Sequence, residues 1–341
     1  MINEIEEHAV VFENMIFPIS EEKSASYIHN RYSMGKLDGK ILSVNKFEIM
    51  YLVMKKRVVM QNGEIPDQKE LFLKLMKPDD IPMMKVYNDL KNGGGRVTVS
   101  GNMLYLTGKK EKSTQRKRIM PIRENHRISF RDLMEMDHTI VASVDDDGDI
   151  TYYKIEIAHM KGDNSFQWTE YEFSDLGNRG VTGISDVPAW IGDVIGDIRI
   201  LSEQEKPILE SGISVDAPTK VFYHLIRNGF IVKTGFKYGC NFRAYEGSVD
   251  DHAQFLVHVM AEDVEWYEIS RAVRVAASVR KKMIFASIHE KSVETVEIKR
   301  IKNIRNICCY IKGRLPEEVF QQRNSTFQLH PFRNVNRYLQ S

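Results

Sequence analysis

Three stretches in the last third of the chain hold side chains that could act on an anion. Lys233-Thr-Gly-Phe-Lys-Tyr-Gly-Cys-Asn-Phe-Arg-Ala-Tyr245 reads as a strand, a glycine turn and a second strand closing on a phenol. Asp250-Asp-His-Ala-Gln-Phe-Leu-Val-His-Val259 places His252 in a loop ahead of an alternating strand. Trp266-Tyr-Glu-Ile-Ser-Arg-Ala-Val-Arg-Val-Ala-Ala-Ser-Val-Arg-Lys-Lys282 reads as an amphipathic helix. At about 100° per residue, Arg271, Arg274, Ser278, Lys281 and Lys282 share one stripe, while Ile269, Ala272, Val273, Ala276 and Val279 cover the opposite side. Arg280 falls on the buried side and reads as structural. An imidazole titrates near neutrality and suits proton transfer. Cations at one-turn intervals suit a site where negative charge gathers. Taken singly, each residue has a plainer explanation: a tyrosine ending a strand packs, a histidine before a strand turns the chain, and a basic helix face is solvated.

Metal chemistry does not compete for these residues. His224, His252, His258 and His289 show no His-x-x-x-His or Cys-x-x-Cys spacing. The acidic run Asp145-Asp-Asp-Gly-Asp149 fails as a calcium loop, because Ser143 and Lys154 stand where carboxylates are required. No metal and no cofactor are expected.

The elements that must position these groups show an internal repeat. Val86-Tyr-Asn-Asp-Leu-Lys-Asn-Gly-Gly-Gly-Arg-Val97 lies over Val221-Phe-Tyr-His-Leu-Ile-Arg-Asn-Gly-Phe-Ile-Val232, each a helix ending at glycine and passing into a strand. Ile140-Val-Ala-Ser-Val144 matches Ile284-Phe-Ala-Ser-Ile288, each an apolar run suited to a buried strand. Ahead of the first copy, Leu42–Met54 has helical apolar spacing after a serine able to cap it. Ahead of the second, 161–215 is rich in Gly, Asp and Trp and reads as a worn counterpart plus linker. The fold expected is mixed α/β (α+β), with two tandem repeats. Each repeat is a small helix-rich N-terminal subdomain followed by a C-terminal α/β subdomain with a central mixed sheet. The units run 1–80, 81–160, 161–215, 216–303 and a tail, 304–341, that has no counterpart in the first copy.

The three stretches together resemble the tRNA-splicing endonucleases of archaea, in that family's order, from Val221 to Ala286. The resemblance implies a catalytic triad at Tyr245, His252 and Lys281. It implies that Arg274 and Arg300 sandwich a base flipped out of the RNA, with Arg271 and Lys282 in further contact with RNA. The substrate implied is precursor tRNA with a bulge-helix-bulge at its exon–intron junctions, recognised by shape and unstacked bases. Metal-free cleavage uses the RNA's own 2′-hydroxyl and leaves a 2′,3′-cyclic phosphate and a 5′-hydroxyl. It needs a proton acceptor, a proton donor and positive charge at the phosphorane. His252 suits the acid, Lys281 the charge, and Tyr245 the base or the group that orients the hydroxyl. Asp145, Asp146, Asp147 and Asp149 resemble the family's acidic loop, which enters a basic groove on a partner subunit, although locally a hairpin turn explains them. The first copy has no equivalent of the triad, so one dead and one live copy per chain imply a homodimer with two active sites. The chain departs from the family in its short Tyr245-to-His252 connection, in 161–215 and in the tail.

Bulk composition sets the frame. At 341 residues and 42% hydrophobic content, the chain holds two or more compact units. A net charge of +1 leaves phosphate binding to local patches, such as the basic stretch 109–123. Three cysteines build no disulfide framework, and neither a signal peptide nor a membrane-spanning run is legible, so a cytoplasmic location and no membrane partner are expected. Two rivals remain: a non-catalytic RNA-binding scaffold subunit, and a metal-dependent DNA nuclease. RNA, not DNA, is the partner expected.

Overall fold

The computed structural model describes residues 8–19, 24–60, 64–107, 116–165, 171–209, 216–289 and 292–301. The tail 304–341 and part of the basic stretch 109–123 lie outside the described residues.

The first unit combines strands β1 (Ala9–Phe12), β2 (Met15–Pro18), β3 (Lys36–Asp38) and β4 (Ile41–Ser43), ordered β2-β1-β4-β3, with helices α1 (Ala25–Tyr32), α2 (Lys46–Met54) and α3 (Gln68–Leu75). The helix expected from Leu42 begins later. Leu42 and Ser43 belong to β4, and the cap is Asn45, whose side chain accepts the Phe47 and Glu48 N–H groups while Glu48 accepts the Asn45 N–H. This reciprocal box satisfies donors that a helix start leaves unpaired. Every residue from Phe47 to Val53 is buried, Glu48 included, so α2 is covered all round and forms the centre of the unit.

A ten-stranded sheet dominates the rest. Its first half follows helix α4 (Ile81–Asn92) and contains β5 (Arg96–Ser100), β6 (Met103–Thr107) and β7 (Lys117–Arg123). The short strand β8 (Arg127–Ile128) and helix α5 (Phe130–Glu135) then lead to β9 (Thr139–Val144) and β10 (Ile150–Ile157). Residues 158–215 intervene, with β11 (Ser174–Leu176), β12 (Arg179–Gly183), β13 (Asp193–Ile195), β14 (Ile198–Leu201) and α6 (Lys206–Leu209). The second half follows α7 (Ala217–Arg227) with β15 (Ile231–Thr234), β16 (Phe242–Tyr245), β17 (Phe255–Val259) and the short β18 (Val264–Glu265). Helix α8 (Trp266–Ser278), β19 (Lys282–His289) and β20 (Ser292–Ile301) complete it.

The order across the sheet is β15-β16-β17-β19-β20-β10-β9-β7-β6-β5, which reads the same from either edge inward. In each half the third and fourth strands are parallel and their other neighbours antiparallel. The halves join where β10 and β20 pair antiparallel, Tyr152 with Ile301 through Ile157 with Val296. Both helices α4 and α7 end in the same cap. Gly94 (φ 81) and Gly229 (φ 85) donate to Lys91 and Ile226, and Gly95 and Phe230 donate back to Leu90 and Leu225. Glycine adopts this left-handed backbone without a Cβ penalty.

The second half is covered on both faces. On β19, Ile284 and Ala286 join α7's Phe222 and Leu225, while Met283 and Phe285 join α8's Ile269, Val273 and Ala276. A strand buried on both faces reads as a continuous apolar run, as Ile284–Ile288 does.

Segment 161–215 departs from expectation. Instead of a helix-rich counterpart to the first unit, it forms a four-stranded antiparallel sheet ordered β11-β12-β14-β13, with the four-residue α6. Strands of three to five residues linked by turns at Gly177 and Gly196 are too short for a legible period. Buried Arg199 holds it together, donating to the carbonyls of Ile184, Ala189 and Ile191 at 2.9 Å each. Among the described residues, no helix is long and apolar enough to cross a membrane.

Candidate catalytic and RNA-binding site

Tyr245 ends β16, His252 precedes β17, and Lys281 precedes β19. Because β16 and β17 are antiparallel and β17 and β19 parallel, one strand end and two strand starts fall on the same edge of the sheet. All three residues converge on Ala253. The Tyr245 ring packs on Ile231 and Ala253, with Trp190 against them, and is 6% exposed. Lys281 Nζ donates to the Ala253 carbonyl at 2.5 Å. His252, the residue before Ala253, is exposed. The Arg243 guanidinium lies 5.9 Å from the centroid of the Tyr245 ring, within range of a cation–π contact.

The helix that delivers Lys281 stops earlier than its sequence pattern. α8 ends at Ser278, Val279 caps it, and Arg280 turns the chain with φ 57. Arg280, expected on the buried side, is exposed, and so is Val279. Lys281 and Lys282 therefore do not extend the helical stripe; they lie on the turn and on the first residue of β19. A left-handed non-glycine residue costs roughly 1–2 kcal/mol. The following bonds offset that cost: Lys281 N–H to the Ala276 carbonyl and Lys282 N–H to the Gln254 carbonyl, both 2.9 Å. Lys282 is exposed, with Nζ 5.4 Å from the Phe255 ring centroid.

Arg271 and Arg274 are exposed on α8 and line a cavity of about 430 Å³ whose far wall includes Asp145, Thr151 and Tyr153. Helical rise puts Arg274 roughly 6 Å and Arg271 roughly 10 Å from the helix end that precedes Lys281. Below that cavity Tyr153 and Ser270 hydroxyls bond to each other, fastening α8 to the first half of the sheet. Arg300 is exposed on β20, opposite Tyr153 on β10. The β19–β20 ladder ends at Met283 and Ile298, at the start of β19, and Arg300 stands two residues beyond Ile298. Arg300 thus belongs to the same edge.

The acidic residues lie on this edge too, at the β9–β10 turn. The Asp145 N–H donates to the Asp149 carbonyl at 3.1 Å, Gly148 N–H to the Asp145 carbonyl at 2.9 Å, and Asp149 N–H to Asp145 Oδ1 at 2.8 Å. These bonds close the turn, and Asp146, Asp147 and Asp149 are exposed. Three strand steps, about 14 Å, separate β9 from β19. Among the described residues no cluster of His, Cys, Asp and Glu assembles that could hold a metal ion.

Sequence reading missed three members of the surroundings. Ala253 is the shared contact, Gln254 bonds to segments on either side, and Asn164 reaches the loop after Tyr245. None carries a residue-type signal, since a main-chain carbonyl and two neutral amides look the same in any loop.

The family profile for the tRNA intron endonuclease catalytic C-terminal domain matches residues 216–295, a span that includes Tyr245, His252 and Lys281. The tRNA-splicing endonuclease of Thermoplasma volcanium is 35% identical over 289 residues, 84% of this chain and 96% of that protein. That of Picrophilus torridus is 30% identical over 298 residues, 87% of this chain and 99% of that protein. That of Methanococcoides burtonii is 24% identical over 343 residues, covering 83% and 96%. With identity of this order running through nearly the whole of two relatives, the chain belongs to the archaeal tRNA-splicing endonuclease family.

Proposed function

We propose that the chain cuts precursor tRNA at bulge-helix-bulge exon–intron junctions, without metal, by transesterification. The single observation that carries this reading is the convergence of Tyr245, His252 and Lys281 on Ala253 at one sheet edge, within the family's catalytic segment. The 2′-hydroxyl of the bulge nucleotide attacks the adjacent phosphorus, and the 5′ oxygen leaves. Exposed His252 protonates that oxygen. Lys281 stabilises charge on the phosphorane oxygens. Tyr245, packed on its ring faces, orients the 2′-hydroxyl and, as the phenolate, takes up its proton to become the neutral phenol. Products carry a 2′,3′-cyclic phosphate and a 5′-hydroxyl.

Arg274 and Arg300 clamp an unstacked base, because planar guanidinium groups stack where an ammonium group would not. Arg271 and Lys282 meet the flanking backbone. The exposed Asp146, Asp147 and Asp149 enter a basic groove on a second copy of the chain, giving a homodimer with two active sites. Charge complementarity of this kind fixes orientation more than affinity.

The test is cleavage of a bulge-helix-bulge RNA with end-group analysis. Cyclic phosphate ends, activity that survives EDTA, and no cutting at a 2′-deoxy junction are expected. Linear 3′-hydroxyl ends or loss of activity in EDTA would exclude the mechanism. Light scattering tests the dimer: a mass of one chain at working concentration would exclude it.

A further inference from the structure

The six residues between Tyr245 and His252 must hold a phenol and an imidazole in fixed relation. Within this loop the bonds are few and local: Asp250 N–H to Ser248 Oγ at 3.1 Å and Asp251 N–H to the Ser248 carbonyl at 3.3 Å. The ladder between β16 and β17 ends at Ala244 and Phe255, one pair short of Tyr245. Beyond that pair the strands part, which leaves room for the loop to present His252.

Gln254 takes over where the ladder stops. Its side-chain Oε1 accepts the N–H of Glu246, the residue after Tyr245, at 3.0 Å. Its own carbonyl accepts the N–H of Lys282, the residue after Lys281, at 2.9 Å. Gln254 itself stands two residues after His252. One residue thus contacts the neighbours of two members of the triad and lies on the short segment that carries the third. The Glu246 peptide is held from its other side as well, since Asn164 Nδ2 donates to the carbonyls of Glu246 at 2.9 Å and Gly247 at 3.0 Å. The segment joining the two halves of the chain therefore braces the loop that Gln254 fastens from within.

We propose that Gln254 is a positioning residue that fixes Tyr245 against His252 through its side-chain bond to Glu246, and thereby against Lys281, whose neighbour Lys282 bonds to the Gln254 carbonyl. This rests on the catalytic reading above. Gln254 touches neither RNA nor the reacting atoms; it sets the geometry in which they meet. A displacement of about 1 Å in such a site costs up to 10²-fold in rate.

The experiment uses the full chain and a bulge-helix-bulge RNA, with Gln254→Met, Gln254→Glu and His252→Ala compared with the parent. Gln254→Met keeps the side chain's length and loses the accepting oxygen. Its kcat is expected to fall about 30-fold, with KM within about twofold of the parent. Its thermal midpoint is expected to stay close to the parent's. Gln254→Glu keeps an accepting oxygen for Glu246 N–H and is expected to hold kcat within about threefold. Parent-like kcat in Gln254→Met while His252→Ala is dead would overturn the positioning role and leave the catalytic reading standing. Equal losses in both Gln254 variants would also overturn it, by assigning the effect to packing. Parent-like cutting by His252→Ala would remove the catalytic reading first, and the positioning role with it.

Discussion

The two halves of the large sheet share strand order and direction, yet among the described residues only the second carries the Tyr–His–Lys edge. The turn into the fourth strand of each half shows the difference most closely. In the second half, Arg280 adopts φ 57 and Lys281 follows it, reaching the Ala253 carbonyl. In the first half, His138 adopts φ 57 just before β9, and its ring lies 3.5 Å from an Asp137 carboxylate oxygen and 3.9 Å from one of Glu156. Both turns use a left-handed residue, directly before the strand in the first half and two places before it in the second, and in the first half carboxylates flank it. Helix length differs as well: α5 has six residues and α8 thirteen, and the longer helix carries both Arg271 and Arg274. The fold supplies the turn, and the side chains decide whether it becomes a site.

The comparison breaks most visibly at the imidazole. His252→Ala is expected to lower single-turnover cleavage about 10³-fold while RNA affinity stays within a few-fold. Joint loss of cutting and binding would remove the acid assignment. Next come the paired turn residues: Lys281→Ala should cost about 10²-fold in kcat, whereas His138→Ala should leave kcat unchanged, both read at saturating RNA.

A smaller effect separates the helix ends. By their shared cap, Lys91 in α4 corresponds to Ile226 in α7. Lys91 is buried and donates to the carbonyls of Tyr32 at 2.6 Å and Ser33 at 3.2 Å. Desolvation lowers its pKa from 10.5 to about 8, with nearby Glu48 opposing the shift. The folded state thus binds this proton less tightly than the unfolded chain. Stability from this group is present above pH 10.5, falls as pH drops through the window between 10.5 and about 8, and levels off below. The full span is roughly 3 kcal/mol. In urea melts, Lys91→Met should flatten this rise relative to the parent; parallel pH profiles would contradict it.

The smallest contrast concerns the two capping glycines. Gly229 is buried, and a Cβ there would meet the Asn164 carbonyl oxygen at 2.6 Å, whereas Gly94, at nearly the same φ, is exposed. Gly94→Ala should cost about 1 kcal/mol from the left-handed backbone alone, and Gly229→Ala about 1 kcal/mol more. Equal costs would mean that the packing of 162–164 on this turn contributes nothing.

What the sequence made legible was local. The apolar run at 284–288, the glycine ends of α4 and α7, and the cationic face at Arg271 and Arg274 all follow from short-range pattern. The resemblance then joined Tyr245, His252 and Lys281 across segments that pattern alone leaves separate. The end of α8 was misread because a non-glycine residue, Arg280, takes the left-handed turn where glycine would have announced it. The sheet at 174–201 escaped because its strands are too short to show a period and its core is organised by the buried Arg199. The joining of β10 to β20 has no local signature at all, since both strands look like edges until they meet.

That joint has a consequence for synthesis. β10 ends at Ile157 and β20 begins at Ser292, so 134 residues lie between them in the growing chain. At ribosomal rates this is on the order of ten seconds during which β10 has no partner on that side. An open strand invites pairing with other nascent chains unless charge guards it. Lys154 and Glu156, paired with each other on β10, supply that guard early. When β20 arrives, Lys299 joins Glu156 at 2.9 Å, and the guarding charges become part of the seam.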